Sequence, residues 1–302
     1  SNAPDARDYA HILTRDIIGD FQTVNNIRVP SINEIQDPAL QGMDKTHFAF
    51  KLKVNNILDC RLRFLGDEIE FSARLFSNIS GEYVWQNAWK CKHENTNFIR
   101  FKLLTELAQY FDLDLPEKLR NALSREMTDN SIALKKYIEG RTLIDRLSNQ
   151  ADLQKAFELL GEAVALDENF VEAYAKYAFA CMKLGYNDKC EEVLEDALEI
   201  ADDTGNERGK IEVFNYFGAH YGAQYKLRKA QKNLEQSLKI LRDFNDQSTE
   251  SRVLYNLAGA MYLAGKPDKA LTYLDRSREL KINLEEYEKV TKFQNVNQWS
   301  EV

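Results

Sequence analysis

The sequence predicts a chain of two parts, a small α+β region followed by an all-α solenoid of stacked helical hairpins. Three observations carry this reading. Between residues 57 and 91 apolar residues alternate with a period of two, the mark of half-buried strands. Beyond residue 130 no such alternation survives. Small residues recur there instead at intervals of 34, 40 and 40, which marks a repeated unit. At 302 residues, 44% of them apolar and only five of them proline, the chain is long enough for two folded bodies.

The α+β region, residues 4–115, reads as an antiparallel three-stranded meander plus a short extra strand, with helices on one face. Ser1, Asn2 and Ala3 read as the remnant of a cleaved purification tag, so the chain is expected to be a piece of a longer protein. Tyr9, Ile12, Leu13, Ile17, Ile18, Phe21 and Val24 lie on one face of a first helix. Ile27-Arg28-Val29 reads as the short extra strand, stopped by Pro30. A second helix is expected near Lys45–Lys53. Leu58, Cys60, Leu62 and Phe64 then alternate with polar partners, as do Ile69, Phe71, Ala73 and Leu75 beyond Gly66-Asp67. A two-residue turn there sets Phe64 opposite Ile69, Leu62 opposite Phe71 and Cys60 opposite Ala73 on one face.

A third strand offers Tyr83, Trp85, Trp89 and Cys91 to that same face. Its parity matches the middle strand only if the connecting loop has an odd number of residues or the pairing carries a bulge. Phe98, Phe101, Leu104, Leu107, Ala108 and Phe111 form a helical stripe able to cover the sheet. Residues 116–130 are polar with a weak helical pattern and read as a connector.

From residue 131 to 302 the pattern is helical throughout, with about four hairpins. Ala156, Cys190, Ala230 and Ala270 set the repeat, and Ala163, Ala197, Ser237 and Ser277 follow each by seven residues. Ala178, Gly218 and Ala258 precede the last three by twelve. Antiparallel helices pack at roughly 8–10 Å, and undersized side chains at the crossing permit that approach. Gly185 and Gly265 stand where helices end and the chain turns. Leu284, Tyr287, Val290 and Phe293 are expected to form a closing, capping helix.

Those positions resemble the tetratricopeptide repeat, a helical hairpin of about 34 residues that stacks into a solenoid. Within Val171–Thr204, the residues Tyr174, Tyr177, Ala178, Cys181, Gly185, Cys190, Leu194 and Ala197 stand at its eight signature positions. Tyr225 replaces the turn glycine of the third unit, Cys190 replaces an alanine, and two units are six residues longer. A wider resemblance rests on Ile12–Ile18, Ile27–Ser31, Gly81–Trp85, Tyr137–Arg141, Ala151–Ala156 and Ala165–Tyr174, in that order. It is to bacterial signalling proteins in which a TolB amino-terminal-like α+β domain precedes tetratricopeptide repeats. In that family the region is the non-catalytic partner of a class III adenylate/guanylate cyclase domain or of a winged-helix DNA-binding domain. The family's opening strand, ahead of the first helix, has no counterpart here.

Reaction chemistry finds little support in the residues. Nucleotide-binding glycine loops, zinc-ligand spacings and nucleophile elbows are all missing from the sequence. His11, His47, His93 and His220 are scattered, and Asp112 with Asp114 reads as a solvated helix end. Glu191-Glu192 with Glu195-Asp196 reads as a solvated outer face. Cys60 and Cys91 sit too far apart in register to bond, and Cys181 and Cys190 fit as buried free thiols. Free thiols point to a reducing compartment, hence the cytoplasm, with the periplasm as the alternative. Net charge is −8, and residues 1–130 and 131–302 are each mildly acidic, so no broad nucleic-acid or anionic-membrane surface is expected.

In the tetratricopeptide family the first helix of each hairpin lines a concave groove. The resemblance therefore implies a groove of Glu172, Ala175, Lys176, Phe179, Met182 and Lys183 from the second unit. The third adds Glu212, Asn215, Tyr216 and Ala219, and the fourth adds Arg252, Tyr255, Asn256 and Tyr262. The family's carboxylate clamp is matched at Asn256 only in part, since no lysine precedes it. Phe179, Met182, Tyr216, Tyr255 and Tyr262 offer an aromatic strip for an apolar peptide, or pack between neighbouring hairpins; both readings stand. The expected function is a non-catalytic interaction module of a cyclase-type signalling protein, binding a peptide, a protein or a neighbouring domain, without metal or cofactor. A homodimer is a further option. The alternatives are the extracytoplasmic sensor of a membrane-bound winged-helix regulator, and a small-molecule receptor or enzyme with a pocket between its two parts.

Overall fold

The computed structural model describes residues 6–24, 27–92, 94–146, 149–244 and 246–280. The first part opens with helix α1 (Ala6–Gln22), followed by a single turn α2 (Ile32–Ile35), a short 3-10 turn and α3 (Lys45–Leu52). Strands β1 (Asn56–Leu65), β2 (Glu68–Ser77) and β3 (Glu82–Lys92) form an antiparallel sheet in the order β1-β2-β3. The register follows the alternation: Phe64 faces Ile69, Leu62 faces Phe71 and Cys60 faces Ala73. Gly66 takes the left-handed conformation that this two-residue turn requires, at φ 71°.

The loop from β2 to β3 holds four residues, Asn78–Gly81, and a bulge at Leu75/Phe76 restores parity. Trp85, Trp89 and Cys91 consequently face Leu75, Phe71 and Ile69. Tyr83 does not join them. The bulge turns it to the other face against Phe76, where it donates to Asp59 Oδ2 at 2.9 Å beneath the Arg74 guanidinium.

Ile27–Val29 forms no strand and pairs with none among the described residues; Arg28 donates to the Leu52 carbonyl and Gln22 to that of Val29. Helix α4 (Thr96–Tyr110) covers the sheet through Leu107 and Phe98 of the expected stripe and through Ile99 and Leu103, which the stripe did not include. Phe101 and Leu104 pack instead with α5 (Glu117–Leu123), a helix inside the expected connector, and Phe111 is exposed.

Four antiparallel hairpins follow among the described residues. They pair α6 (Ser131–Asp145) with α7 (Gln150–Leu166), and α8 (Val171–Leu184) with α9 (Asn187–Asp203). Next come α10 (Glu207–Ala223) with α11 (Leu227–Leu241), and α12 (Gln247–Leu263) with α13 (Pro267–Leu280). The expected capping helix lies outside the described residues. Ala178, Ala156, Cys190, Ala230, Ala197 and Ala163 are buried at the helix crossings, as their size predicts. Ser237 and Ser277 occupy two of these positions, and each hydroxyl donates to a carbonyl of the facing helix, Ile211 at 2.9 Å and Ser251 at 2.8 Å. A buried hydroxyl at a close crossing needs such a partner.

The first hairpin also has its small residue, but not where counting places it. A Cβ on Gly140 would lie 2.8 Å from Leu160 Cγ, just as one on Gly218 would meet Leu234. Helix α7 begins further ahead of Ala156 than α9, α11 and α13 begin ahead of their crossing residues. The tip of this hairpin is longer as a result, which moves the small position from 144 to 140. Gly185 and Gly265 close α8 and α12 in left-handed geometry, and Tyr225 does the same after α10 at φ 59°.

Packing is continuous between the two parts. One apolar cluster joins Tyr9, Ile12 and Leu13 of α1 and Ile69 and Phe71 of the sheet to Leu134, Tyr137, Ile138 and Leu160 of the first hairpin. Helix α1 thus serves as a shared wall.

Candidate functional site: a charged cleft beside α1

Asp16 and Asp20 lie one turn apart on α1, so both project from one face. That face meets cations from three other helices. Arg100 of α4 grips Asp20 with two bonds, Nε to Oδ2 at 2.6 Å and Nη2 to Oδ1 at 2.7 Å. Its remaining amino group donates to Asn97 Oδ1 at 2.8 Å. Arg141 of α6 reaches Asp16 at 2.6 Å, and Arg208 of α10 reaches Asp20 at 2.9 Å. Asp20 and Arg100 are buried, so this is a desolvated, bidentate contact rather than a surface pair. Burial would raise the Asp16 carboxyl, but Arg141 and Arg100 outweigh it and hold it far below the usual carboxylate range.

The first helices of the hairpins continue the pattern. On α8, Glu172 accepts from Asn206 at 3.1 Å, and Lys176 donates to the Tyr216 hydroxyl at 2.9 Å. On α10 and α12, Arg252 donates to Glu212. Burial acts to raise Glu212, yet Arg252 and Lys176 bring it down to about 2. Burial alone raises Glu172, opposed by its bond from Asn206. The last side of the cleft comes from α5 and the chain after it. Lys118 pairs with Asp243 at 2.6 Å, and Arg125 donates to the Thr204 carbonyl.

Between these walls lies a cleft of about 1860 Å³, lined by α1, the segment Lys118–Ile132 and the first helices of the hairpins. It is a polar space: paired charges define its surface, and its volume suits an extended chain or a sizeable polar ligand. No group of three His, Cys, Asp or Glu among the described residues is placed to hold a metal ion. His220 is buried and bonded to Gln224, away from this lining. No helix among the described residues is long and apolar enough to cross a membrane.

Of the residues expected to form the groove, Lys176, Arg252 and Tyr255 line the cleft, together with Glu172, Ala175 and Glu212. Phe179, Tyr216, Asn215 and Asn256 make contacts between neighbouring hairpins, and Lys183 is exposed. Phe179 and Tyr216 stack at a tilt with ring centres 5.7 Å apart, and Lys183 lies 5.6 Å over Phe179. Asn256 donates to Asn215 at 2.9 Å, so the clamp-like asparagine bridges two repeats. Met182 and Tyr262 pack, partly buried, against the solenoid core. Phe179 and Tyr216 of the aromatic strip thus join two hairpins, while Tyr255 lines the cleft.

Sequence reasoning missed Asp16, Asp20, Arg100, Arg141 and Arg208. One signal was present: charged residues at 16, 20 and 100 interrupt helical stripes that are otherwise apolar. A buried charge in such a stripe demands a partner.

Residues 132–208, running from α6 into α10, match the tetratricopeptide repeat family model. No functionally curated protein matches the chain. Among solved structures, BtubC (BKLC) from P. vanneervenii is 17% identical, with 62% of this chain and 81% of that one covered and a TM-score of 0.44. A Podosopora anserina protein of nearly identical TPR-like repeats, assigned to kinesin light chain, is 18% identical. That alignment covers 63% of this chain and 96% of the other, with a TM-score of 0.39.

Proposed function

We propose that this chain is a non-catalytic docking module that receives an extended segment of a partner protein in the cleft beside α1. Tetratricopeptide repeats are protein-interaction scaffolds, and stacked hairpins bind along their concave surface. The observation that carries the reading is the placement of Lys176, Glu212 and Arg252 along one open cleft rather than in the core. Alternating charges of this kind select a partner by electrostatic match and orient it. We assign the module to the regulatory region of a cyclase-type signalling protein in the cytoplasm, where docking would bias an attached output domain.

Display selection of random peptides against the folded protein tests the docking. The selected peptides should lose at least tenfold affinity on Lys176→Gln or Arg252→Gln and none on Lys269→Gln of α13. Peptides indifferent to both cleft substitutions would overturn the reading. Cyclase turnover by this chain above a protein-free control would overturn its non-catalytic part.

The polar wall that α1 adds to the cleft favours a second reading, a receptor for a polar small molecule. A thermal shift of several degrees with one member of a metabolite panel, lost in Lys176→Gln, would decide for it.

A further inference from the structure

The outer face of the solenoid carries two ridges of opposite charge. Helix α9 bears eight carboxylates and one lysine over 17 residues. Helix α11 bears four cations and one carboxylate over 15. The ridges run side by side, joined where Glu191 meets Lys226 at 3.8 Å and Lys229 at 3.6 Å. Beyond that junction the charges are unspent. Glu195, Asp196, Glu199 and Asp203 are exposed, with no cation within ion-pair distance among the described residues. Arg228, Lys232, Lys239 and Arg242 are likewise exposed, with no carboxylate in reach among those residues.

Solubility alone accounts for an acidic face but not for an equally long basic face beside it. Glu195 and Glu199, and Glu199 and Asp203, are like-charged pairs one turn apart, an arrangement that weakens a helix unless something opposes it. A foreign polycation would satisfy α9 only, and a polyanion α11 only. A second copy of this chain satisfies both. A two-fold axis through the furrow between the ridges lays α9 of one copy over α11 of the other, and the reverse contact follows by symmetry.

We propose that this outer face is a self-complementary dimer interface, held by the acidic ridge of α9 and the basic ridge of α11. Ridges about 25 Å long and about 10 Å apart cover roughly 1,000 Å² in total, the lower limit for a specific interface. The dimer is accordingly weak and depends on salt. It leaves the cleft open, since the cleft lies on the opposite face, and it stands or falls independently of peptide docking.

Sedimentation velocity over a concentration series tests this, at about 20 mM and about 500 mM NaCl, where screening differs severalfold. The chain should dimerise at low salt, with at least a tenfold weaker dissociation constant at high salt. Glu195→Lys/Glu199→Lys and Arg228→Glu/Lys232→Glu should each be monomeric alone, while an equimolar mixture of the two should dimerise again. The milder Glu195→Gln/Glu199→Gln variant should show the same loss, should a reversal disturb folding. A wild-type chain that stays monomeric, a dimer untouched by either reversal, or a mixture that fails to recover would each overturn the proposal.

Discussion

A β-carbon placed on Gly218 would lie 2.3 Å from Cγ of Leu234, closer than two carbons can approach. Helices α10 and α11 are therefore in contact through a missing side chain. Gly218→Ala should cost about 1–3 kcal/mol as overpacking, read as a lower urea midpoint with an unchanged slope. Gly222→Ala, on the same helix with nothing within 4 Å, should instead hold or raise stability.

Tyr225 adopts φ 59° at the turn after α10 with its side chain 72% exposed. The left-handed conformation costs a side-chain-bearing residue about 1–2 kcal/mol, and glycine escapes that cost. Part of the gain is offset by the greater freedom of glycine in the unfolded chain. Tyr225→Gly should therefore stabilise by about 0.5–1 kcal/mol. Thermal melting of the two proteins measures it.

Asp20 neutralises Arg100 in a region closed to solvent. Asp20→Asn removes the bidentate carboxylate from the buried guanidinium and leaves only Asp16, 3.8 Å away, as a counter-charge. Breaking a buried pair from one side costs about 3–5 kcal/mol, so this variant should be among the least stable single substitutions in the protein. Chemical denaturation provides the measurement.

Glu212 has a folded-state pKa near 2 against an unfolded value of 4.5. A depressed carboxylate contributes stability that is complete above the unfolded value and is lost as pH falls through the folded one. Wild type should exceed Glu212→Gln in stability at neutral pH, and the difference should shrink between about pH 4.5 and pH 2. Melting curves of both proteins across that window report it.

Much of this architecture was legible in the residues, for reasons that differ by element. The β1–β2 register follows from two independent alternations and a two-residue turn, which leave one pairing that keeps both apolar sets together. The β2–β3 parity forced a bulge or an odd loop but could not say which, and so misassigned Tyr83, whose face depends on where the bulge falls. The small residues at the hairpin crossings were readable because packing demands them at a constant offset. Gly140 escaped because the offset fails when the tip of a hairpin lengthens. The ion network was hidden by distance: Arg100 lies 80 residues from Asp20, and Arg141 lies 125 from Asp16. Nothing local announces such a partner.

The cleft exists only while its two walls belong to one body, tied by the apolar cluster from α1 to α7 and by Asp16 and Asp20. In a Trp299→Phe variant the remaining Trp85 and Trp89 report the sheet, while far-ultraviolet circular dichroism reports chiefly the helical hairpins. Equilibrium unfolding in urea followed by both signals should give coincident midpoints. Two separated transitions, with the tryptophan signal lost while the helices persist, would contradict a single body.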